Sequence, residues 1–290
     1  MAWKSCLGMH AMGLSRFLEG CLVAIAVLAS VSVAKAQGGG TKVDVELVLG
    51  VDVSWSMDHD EQLIQRDGYS AAFRSKDVID AILDGGYGRI AVTYVEWAGS
   101  TSQETVVPWT LIDSAAAAQK FSNALKVQEP LQLRRTSISG AIDYAGARFR
   151  NNGYAGLRRV VDISGDGPNN DGRPVDEARD EAVASGITIN GLPLMTNATD
   201  TYGGFSVQDL DTYYTDCVIG GGQSFVIPVT SWEEFPVALR RKLVLELADR
   251  TPDATDAPRL PVVKVQAKPK MDCRIGEKIW QKRWQMWNAQ

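Results

Sequence analysis

One near-continuous apolar segment limits the folds that this chain can adopt. The segment VDVELVLGVDV spans residues 43–53 and is rich in valine and leucine. A strand with water on one face alternates apolar and polar residues, whereas a parallel strand covered on both faces carries a nearly unbroken apolar run. We therefore predict that residues 43–53 form a central parallel strand with helices packed on both sides of its sheet.

The rest of the chain alternates between strand-like and helix-like segments. Further strands are predicted at 89–98, 104–112, 158–166, 187–194 and 224–230, and helices at 61–83, 114–127, 137–151, 173–186 and 231–248. In helix 61–83, Leu63, Ile64 and Tyr69 recur at helical spacing and predict its core face. Pro108 has no backbone N–H, so 104–112 is predicted to be an antiparallel edge strand. The predicted fold class is α/β: a doubly wound, mostly parallel sheet with one antiparallel edge strand and helices on both faces.

The N-terminus has the pattern of an export signal. Lys4 and Arg16 precede the uncharged run CLVAIAVLASVSV, and small residues follow at Ala34 and Ala36. This order predicts a secretory signal peptide cleaved after Ala36. The alternative is an uncleaved anchor, but the run is short for a membrane span of about 20 residues. We expect an exported protein, either periplasmic or extracellular.

The predicted domain organisation follows from these composition changes. A polar, Gly- and Tyr-rich stretch is expected to form a long loop inside the main domain, and a segment with four prolines is expected to be a linker. The predicted units are a signal peptide at 1–36, a flexible lead at 37–42, the main domain at 43–248 with its long loop at 195–223, a Pro-rich linker at 249–270 and a Trp-rich tail at 271–290.

Charge argues against a nucleic-acid partner. The formal net charge is −5 and the sequence pI is about 5.2. Signal cleavage would remove more cations than anions, so the mature chain would be more acidic still. A nucleic-acid-binding domain is usually basic or carries a basic stripe, and no such run of Lys and Arg is present.

Two cysteines remain after the predicted cleavage. Cys6 and Cys21 lie in the signal segment, whereas Cys217 and Cys273 lie in the mature chain. An oxidising compartment favours a disulfide between them, and the alternative is two separate thiols. A Cys217–Cys273 bond would tie the tail to the domain.

Oxygen-bearing side chains follow two of the predicted strands. The motif D-x-S-x-S places Asp52, Ser54 and Ser56 at the end of strand 43–53, and SGDG places Asp166 at the end of strand 158–166. Thr136, in TSISGAI, comes just before helix 137–151. In doubly wound sheets, ligands bind beyond the carboxyl ends of the strands. If strands 43–53 and 158–166 are neighbours in the sheet, these five residues meet there.

The chemistry of this set points to a hard cation. Two carboxylates and three hydroxyls suit Mg²⁺, Mn²⁺ or Ca²⁺ rather than Zn²⁺ or copper. Taken singly, Asp52 or Asp166 could instead cap a helix. In GPNNDG, residues 169–171 could line the rim of the site or form a plain turn.

The motifs together resemble the metal-ion-dependent adhesion site of a von Willebrand factor type A domain. The resemblance covers about residues 43–248 in motif and element order. It implies that Ser54, Ser56 and Thr136 ligate the ion, Mg²⁺ above all. It also implies that Asp52 and Asp166 bind directly or through water. The open position of the ion would take a carboxylate from a partner protein.

Three phrases also resemble an exported bacterial subgroup of such domains that has no assigned activity. They are VDISGDGPNN, DCVIGGGQSFVIPV and RRKLVLELA. This resemblance implies a Gram-negative source and brings no known partner.

Enzyme interpretations have less support. His59 is the only histidine of the predicted mature chain, and the chain has no G-x-S-x-G elbow, Walker A loop or G-x-G-x-x-G motif. A Mg²⁺-dependent phosphoryl-transfer hydrolase remains an alternative, although it lacks a convincing lysine partner. We therefore expect a binding module and no catalytic residues; a second alternative is a structural A-domain without metal-dependent binding.

The C-terminal tail carries tryptophans on one helical face. Trp280, Trp284 and Trp287 follow i, i+4, i+7 spacing, with lysine and arginine around them. This face could dock on a partner or contact a membrane surface. Alternatively, it folds onto its own domain.

Overall fold

A five-stranded sheet with helices on both faces forms the part of the chain that the structure describes. The structure is a computed structural model and describes residues 39–127, 129–196, 207, 209–248 and 271–288. The strands are β1 (Thr41–Asp52), β2 (Ile90–Trp97), β3 (Gln103–Ile112), β4 (Tyr154–Gly165) and β5 (Ile187–Pro193). The helices are α1 (His59–Ala72), α2 (Lys76–Leu83), α3 (Ala115–Ala124), α4 (Ile138–Arg148), α5 (Val175–Ala184), α6 (Leu210–Tyr213), α7 (Phe235–Leu247) and α8 (Ile275–Asn288). A π-helical turn, Tyr214–Val218, continues α6.

The strand order is β3-β2-β1-β4-β5, which puts β1 at the centre of the sheet. β1 is parallel to both β2 and β4, and β5 is parallel to β4. β3 runs antiparallel at the edge beside β2, and its register is irregular near Pro108. The predicted α/β fold class is confirmed. Because four strands are parallel, their carboxyl ends lie along one edge of the sheet.

The two faces of β1 enter two separate apolar cores. Leu47 and Leu49 pack in the core formed with α1, α2, α3 and α7. Val48 packs in the opposite core with Val161 of β4, together with α4 and α5. From residue 43 to its end, β1 is buried throughout, which is the burial that its apolar run predicts.

The helix predicted at 61–83 is two helices. α1 ends at Ala72, and Ser75 starts α2 by accepting a hydrogen bond from the Val78 backbone N–H at 3.4 Å. A serine that satisfies a free N–H begins a new helix, which is why the chain breaks there. The predicted core face is also wrong in its first turn. Leu63 and Ile64 are 37% and 36% exposed, whereas Tyr69 is buried as predicted.

The strand predicted at 224–230 is reduced to isolated bridges beside β5. Gly191 pairs with Val226, and Leu194 pairs with Val229, both in parallel. Pro193 has no backbone N–H to donate to this segment, so the ladder is interrupted there. The segment still covers β5, but as irregular backbone.

Two predicted segments lie outside the described residues, and one predicted boundary differs from the structure. The signal peptide at 1–36 and the linker at 249–270 lie outside them. β1 begins at Thr41, inside the predicted flexible lead of 37–42. Among the described helices, none has both the length and the apolar character needed to cross a membrane.

A disulfide joins Cys217 to Cys273, with 5.4 Å between their Cα atoms. The predicted bond is therefore confirmed. It links the turn after α6 to the segment that leads into α8.

Candidate metal centre

Four of the five predicted site residues form one hydrogen-bonded chain at the carboxyl edge of the sheet. Asp52 ends β1, and its Oδ1 accepts a hydrogen bond from the Ser54 backbone N–H at 2.7 Å. The hydroxyl oxygens of Ser54 and Ser56 are 3.1 Å apart. The Ser56 hydroxyl donates to Asp166 Oδ1 at 2.7 Å. The loops that follow β1 and β4 are thus joined through their polar side chains.

Thr136 reaches the same edge through the backbone of its loop. Its N–H donates to Asn170 Oδ1 at 3.0 Å, and its carbonyl accepts from the Asn170 N–H at 2.8 Å. Leu133 N–H donates to the Val53 carbonyl at 3.0 Å, which attaches the loop to the end of β1. The loop before α4 is therefore held between the loops that follow β1 and β4.

The two carboxylates of this cluster create a negative potential in a buried place. Asp52 is fully buried and Asp166 is 6% exposed. Burial, and then the charge of Asp166, raise the pKa of Asp52 well above its usual range. Burial also raises the pKa of Tyr214, and the charges of Asp52 and Asp166 add to this. The contributions of the neighbouring carboxylates, which add to the effect of burial, indicate a negative potential at this place.

One oxygen of the cluster stands out. Asp52 Oδ2 is buried, and no donor among the described residues lies in good hydrogen-bond geometry to it. The backbone N–H of Asp166 interacts with the Asp52 carboxylate and lowers its pKa, but burial outweighs this effect. A buried polar atom without a partner is costly, so it calls for a proton or a cation.

The donor set fits a hard divalent cation. Among the described residues, no group of three or more His, Cys, Asp and Glu side chains is arranged to hold a metal, so a nitrogen- and sulfur-rich centre is not found there. The five predicted residues instead offer carboxylate and hydroxyl oxygens, which Mg²⁺, Mn²⁺ and Ca²⁺ prefer. The residues present are therefore suited to such an ion.

Asn169 lies in the turn after β4 and also contacts residues of other elements. It is fully buried, and its Oδ1 accepts from the Ser139 backbone N–H at 3.0 Å. Its Nδ2 donates to the Arg173 carbonyl at 3.2 Å and to Glu277 Oε1 at 2.8 Å. Asn169 thus connects the loop after β4 to α4 and α8. No local pattern reveals the contacts with α4 and α8, because Ser139 and Glu277 are distant from Asn169 in sequence.

Gln65 supports the site from beneath, and sequence reasoning missed it. Its Nε2 donates to the Asp52 carbonyl at 3.3 Å, and its Oε1 accepts from the Ser164 hydroxyl at 3.0 Å. Gln62 and Gln65 are both buried, three residues apart on α1. The sequence does contain a signal for this role, because Gln62 and Gln65 are three residues apart and therefore lie on the same face of the helix.

The residues around the motif lie in two different environments. Met57 is fully buried, and Trp55 is 56% exposed at the rim. Asp58 caps α1 through a reciprocal pair of hydrogen bonds with Glu61. The exposed His59 has its Nε2 3.7 Å from a Glu129 carboxylate oxygen, so it has a surface partner.

The start of α8 docks on the loop that carries Asp166. A Cβ added at Gly276 would lie 2.1 Å from the Asn169 carbonyl oxygen, so the two backbones touch. The Tyr213 hydroxyl accepts from the Asn169 N–H at 3.1 Å and donates to the Cys273 carbonyl at 3.3 Å. Farther along α8, Trp284 and Trp287 are 56% and 68% exposed. The tail therefore folds onto its own domain at one end and leaves an apolar surface at the other.

Comparison with known proteins places this chain in a family. A family model described as a protein of unknown function, DUF1194, matches residues 42–251. The chain belongs to the DUF1194 family. The match contains all five candidate ligands and Cys217 but ends before Cys273. Among curated proteins, none matches the sequence.

Solved structures share the fold at low sequence identity. Proximal thread matrix protein 1 from the mussel byssus aligns with a TM-score of 0.53 and 16% identity, over 72% of this chain and 49% of that one. The pilus adhesin SpaC of Lactobacillus rhamnosus GG gives 0.50 and 13%, over 72% and 32%. A von Willebrand factor type A structure from Catenulispora acidiphila gives 0.46 and 17%, over 71% and 43%.

This member of the DUF1194 family spans about half the length of the mussel chain and about a third of the adhesin. The sheet topology and element order agree with the predicted von Willebrand factor type A fold, which is therefore confirmed as the fold of this chain.

Proposed function

We propose that this protein is an exported binding module that uses a divalent cation to hold a partner protein. The cation, Mg²⁺ above all, is held by Asp52, Ser54, Ser56, Thr136 and Asp166. It supplies an electrophilic position to which a carboxylate of the partner binds. The proposal includes no catalytic role for these residues.

The buried Asp52 Oδ2 is the observation that carries this proposal. Among the described residues, no donor lies in good hydrogen-bond geometry to this oxygen, and a second carboxylate is nearby. The oxygen lies at the sheet edge where this fold class binds ligands. A divalent cation would satisfy that oxygen and neutralise both carboxylates. The exposure of Ser56 and Trp55 leaves the position accessible from solvent.

The variant Asp52→Asn tests the cation directly. The amide keeps the size of the side chain and its acceptor for Ser54 but removes the charge. We expect wild-type protein to bind Mg²⁺ or Mn²⁺ by titration calorimetry and to gain thermal stability from it. At a free ion concentration of 100 times Kd, the gain is about 2.7 kcal/mol. Asp52→Asn should show neither effect, and in EDTA it should be at least as stable as wild type, because a buried unpaired charge is lost.

Partner capture then tests the use of the cation. Wild-type protein should retain a partner from periplasmic extract in Mg²⁺ and lose it in EDTA, and Asp52→Asn should not retain it in either buffer. Equal capture in all four cases would instead support a structural A-domain that has no metal-dependent binding. Hydrolysis of a generic aryl phosphate in Mg²⁺, abolished by Asp52→Asn, would contradict the proposal in favour of a phosphoryl-transfer enzyme.

A further inference from the structure

Two consecutive arginines lie on the rim of the candidate metal centre. Arg134 and Arg135 directly precede Thr136. The guanidinium carbon of Arg134 lies 4.6 Å from the centroid of the Trp55 ring, in the loop that follows β1. Stacking on an aromatic face holds a guanidinium in place while its in-plane N–H donors stay available for carboxylates.

Arg135 stacks on a different loop and in a constrained conformation. Its guanidinium carbon lies 3.5 Å from the centroid of the Trp280 ring on α8, the helix docked on the loop after β4. The φ angle of Arg135 is +73°, a left-handed conformation that residues other than glycine rarely adopt. Such backbone persists only where its surroundings hold it, and it is concentrated at binding sites. The two guanidiniums thus lie beside the two loops that carry Asp52 and Asp166.

The arginines and carboxylates around the site together set the net charge of its rim. A divalent cation would balance the two carboxylates of Asp52 and Asp166. Within the described part of the chain, neither arginine forms an ion pair with a carboxylate at 4 Å or less. Asp171 lies on the same rim, and its carboxylate accepts the Ser100 backbone N–H at 2.8 Å. Although burial opposes it, this hydrogen bond and then the positive charge of Arg135 lower the pKa of Asp171, so Asp171 balances part of the Arg135 charge. With the cation bound, the rim therefore presents the guanidinium of Arg134 and the partly balanced guanidinium of Arg135 to a ligand.

We propose that Arg134 and Arg135 form a clamp for an acidic segment of the partner protein, with carboxylates additional to the one that meets the cation. This inference rests on the proposed function for the central carboxylate, and it adds the charge pattern that the partner must carry. Arginine suits the task because its planar fork binds carboxylates with two parallel hydrogen bonds.

Model peptides test the clamp. The probe is a fluorescently labelled peptide of alternating aspartate and glycine, and its counterpart has asparagine in place of aspartate. Binding is followed by fluorescence anisotropy in Mg²⁺. We expect Arg134→Gln and Arg135→Gln each to weaken binding of the aspartate peptide about three- to tenfold, and the double variant to weaken it further. The asparagine peptide should bind more weakly to wild type and should not respond to the arginine variants.

Arg150→Gln is the matched control. Arg150 is exposed and lies past the last residue of α4, whereas the clamp precedes the first. Its replacement removes the same charge from the whole molecule and should leave peptide binding unchanged. Circular dichroism melting curves verify that all variants are folded.

The outcomes separate this inference from the proposed function. If the double variant binds the aspartate peptide like wild type while EDTA abolishes binding, the clamp is wrong and the metal-dependent function stands. If the arginine variants weaken binding but EDTA and Asp52→Asn do not, the acidic recognition stands and the metal-dependent function is wrong. If wild type binds both peptides equally, or neither, the clamp is overturned.

Discussion

At the residue scale, the molecule buries charge in two different ways. At the sheet edge, Asp52 is buried near Asp166. Among the described residues, no donor lies in good hydrogen-bond geometry to Asp52 Oδ2. Within the sheet, Asp162 of β4 is buried 2.5 Å from the ammonium group of Lys242, which also pairs with Glu246. Three charges in an apolar core are stable only together, because removing one partner leaves another uncompensated. The arrangement around Asp52 favours a proton or an external cation, whereas Asp162 has the ammonium group of Lys242 as its counter-ion.

The Asp162 cluster predicts a pH dependence of folding stability. Burial, and then the charge of Glu246, raise the pKa of Asp162 from 3.8 to about 7. Since the folded-state pKa is raised, its contribution to stability is fully present below pH 3.8 and is lost as the pH rises through about 7. Asp162→Asn cannot ionise. The free energy of unfolding of wild type, measured relative to this variant by urea titration in EDTA, should therefore fall between about pH 4 and pH 7 and change little above that.

A fall of the same size in both proteins would contradict this assignment. EDTA matters here, because Asp52 also has a raised pKa and a bound cation would alter its titration. Comparison with Asp162→Asn cancels the contribution of Asp52, which both proteins share.

At the element scale, α8 is the feature that connects the tail to the site. Its second residue, Gly276, lies against the Asn169 carbonyl, and its Glu277 accepts a hydrogen bond from the Asn169 side chain. Trp280, one turn farther, stacks on Arg135. The first half of the helix thus contacts the loops of the candidate metal centre, while Trp284 and Trp287 in the second half are exposed.

Two Gly→Ala substitutions distinguish the effect of α8 docking on stability from the effect of helix propensity. Gly276→Ala would place a Cβ 2.1 Å from the Asn169 carbonyl oxygen, so α8 must move away. We expect it to lower the free energy of unfolding by about 1–3 kcal/mol. Gly146→Ala, in the interior of α4, meets only Ile187 Cδ1 at 3.8 Å and should raise stability by about 0.5–1 kcal/mol.

Urea unfolding of both variants measures these effects, and hydrogen exchange of the amides of α8 shows whether the helix has moved. Equal stabilisation by the two substitutions would mean that α8 does not need its contact with Asn169.

At the scale of the whole molecule, the C-terminal part of the chain returns to the sheet edge that carries the candidate metal centre. The loops after β1 and β4 and the loop before α4 meet there, and α8 covers one side of them. The Cys217–Cys273 bond holds that return, and its two cysteines are 56 positions apart in the sequence. Because the helix touches Asn169, the disulfide is linked to the loop that carries Asp166.

Removal of the disulfide should therefore weaken both the fold and the site. In the double variant Cys217→Ala, Cys273→Ala, we expect the free energy of unfolding to fall by about 2–4 kcal/mol. Mg²⁺ affinity should also fall, because Asn169 loses support from α8. Urea unfolding and calorimetric titration of the oxidised wild type and the variant check the two effects separately. Unchanged Mg²⁺ affinity in the variant would show that the site does not depend on the tail.

Much of the architecture could be predicted from local pattern. The unbroken apolar run of β1 indicated a central strand, and Pro108 indicated the edge position of β3; both predictions are confirmed. The predictions failed where local pattern and long-range packing disagree. Leu63 and Ile64 have helical spacing, but the sheet edge above α1 needs hydrogen-bond donors, so Gln62 and Gln65 are buried instead.

The sequence by itself determined which oxygen donors follow the predicted strands, because D-x-S-x-S, TSISGAI and SGDG supply carboxylates and hydroxyls. The strand order of the folded sheet then brings their loops to one edge. The sequence also contained the two cysteines of the disulfide. Only the tertiary structure decided what surrounds those donors: the buried Asn169, the docked α8, and the stacking of Arg134 and Arg135 on Trp55 and Trp280. The physical reason is that these contacts join residues far apart in the chain. Periodicity reports which face of an element is buried, but it does not report which distant side chain lies against it.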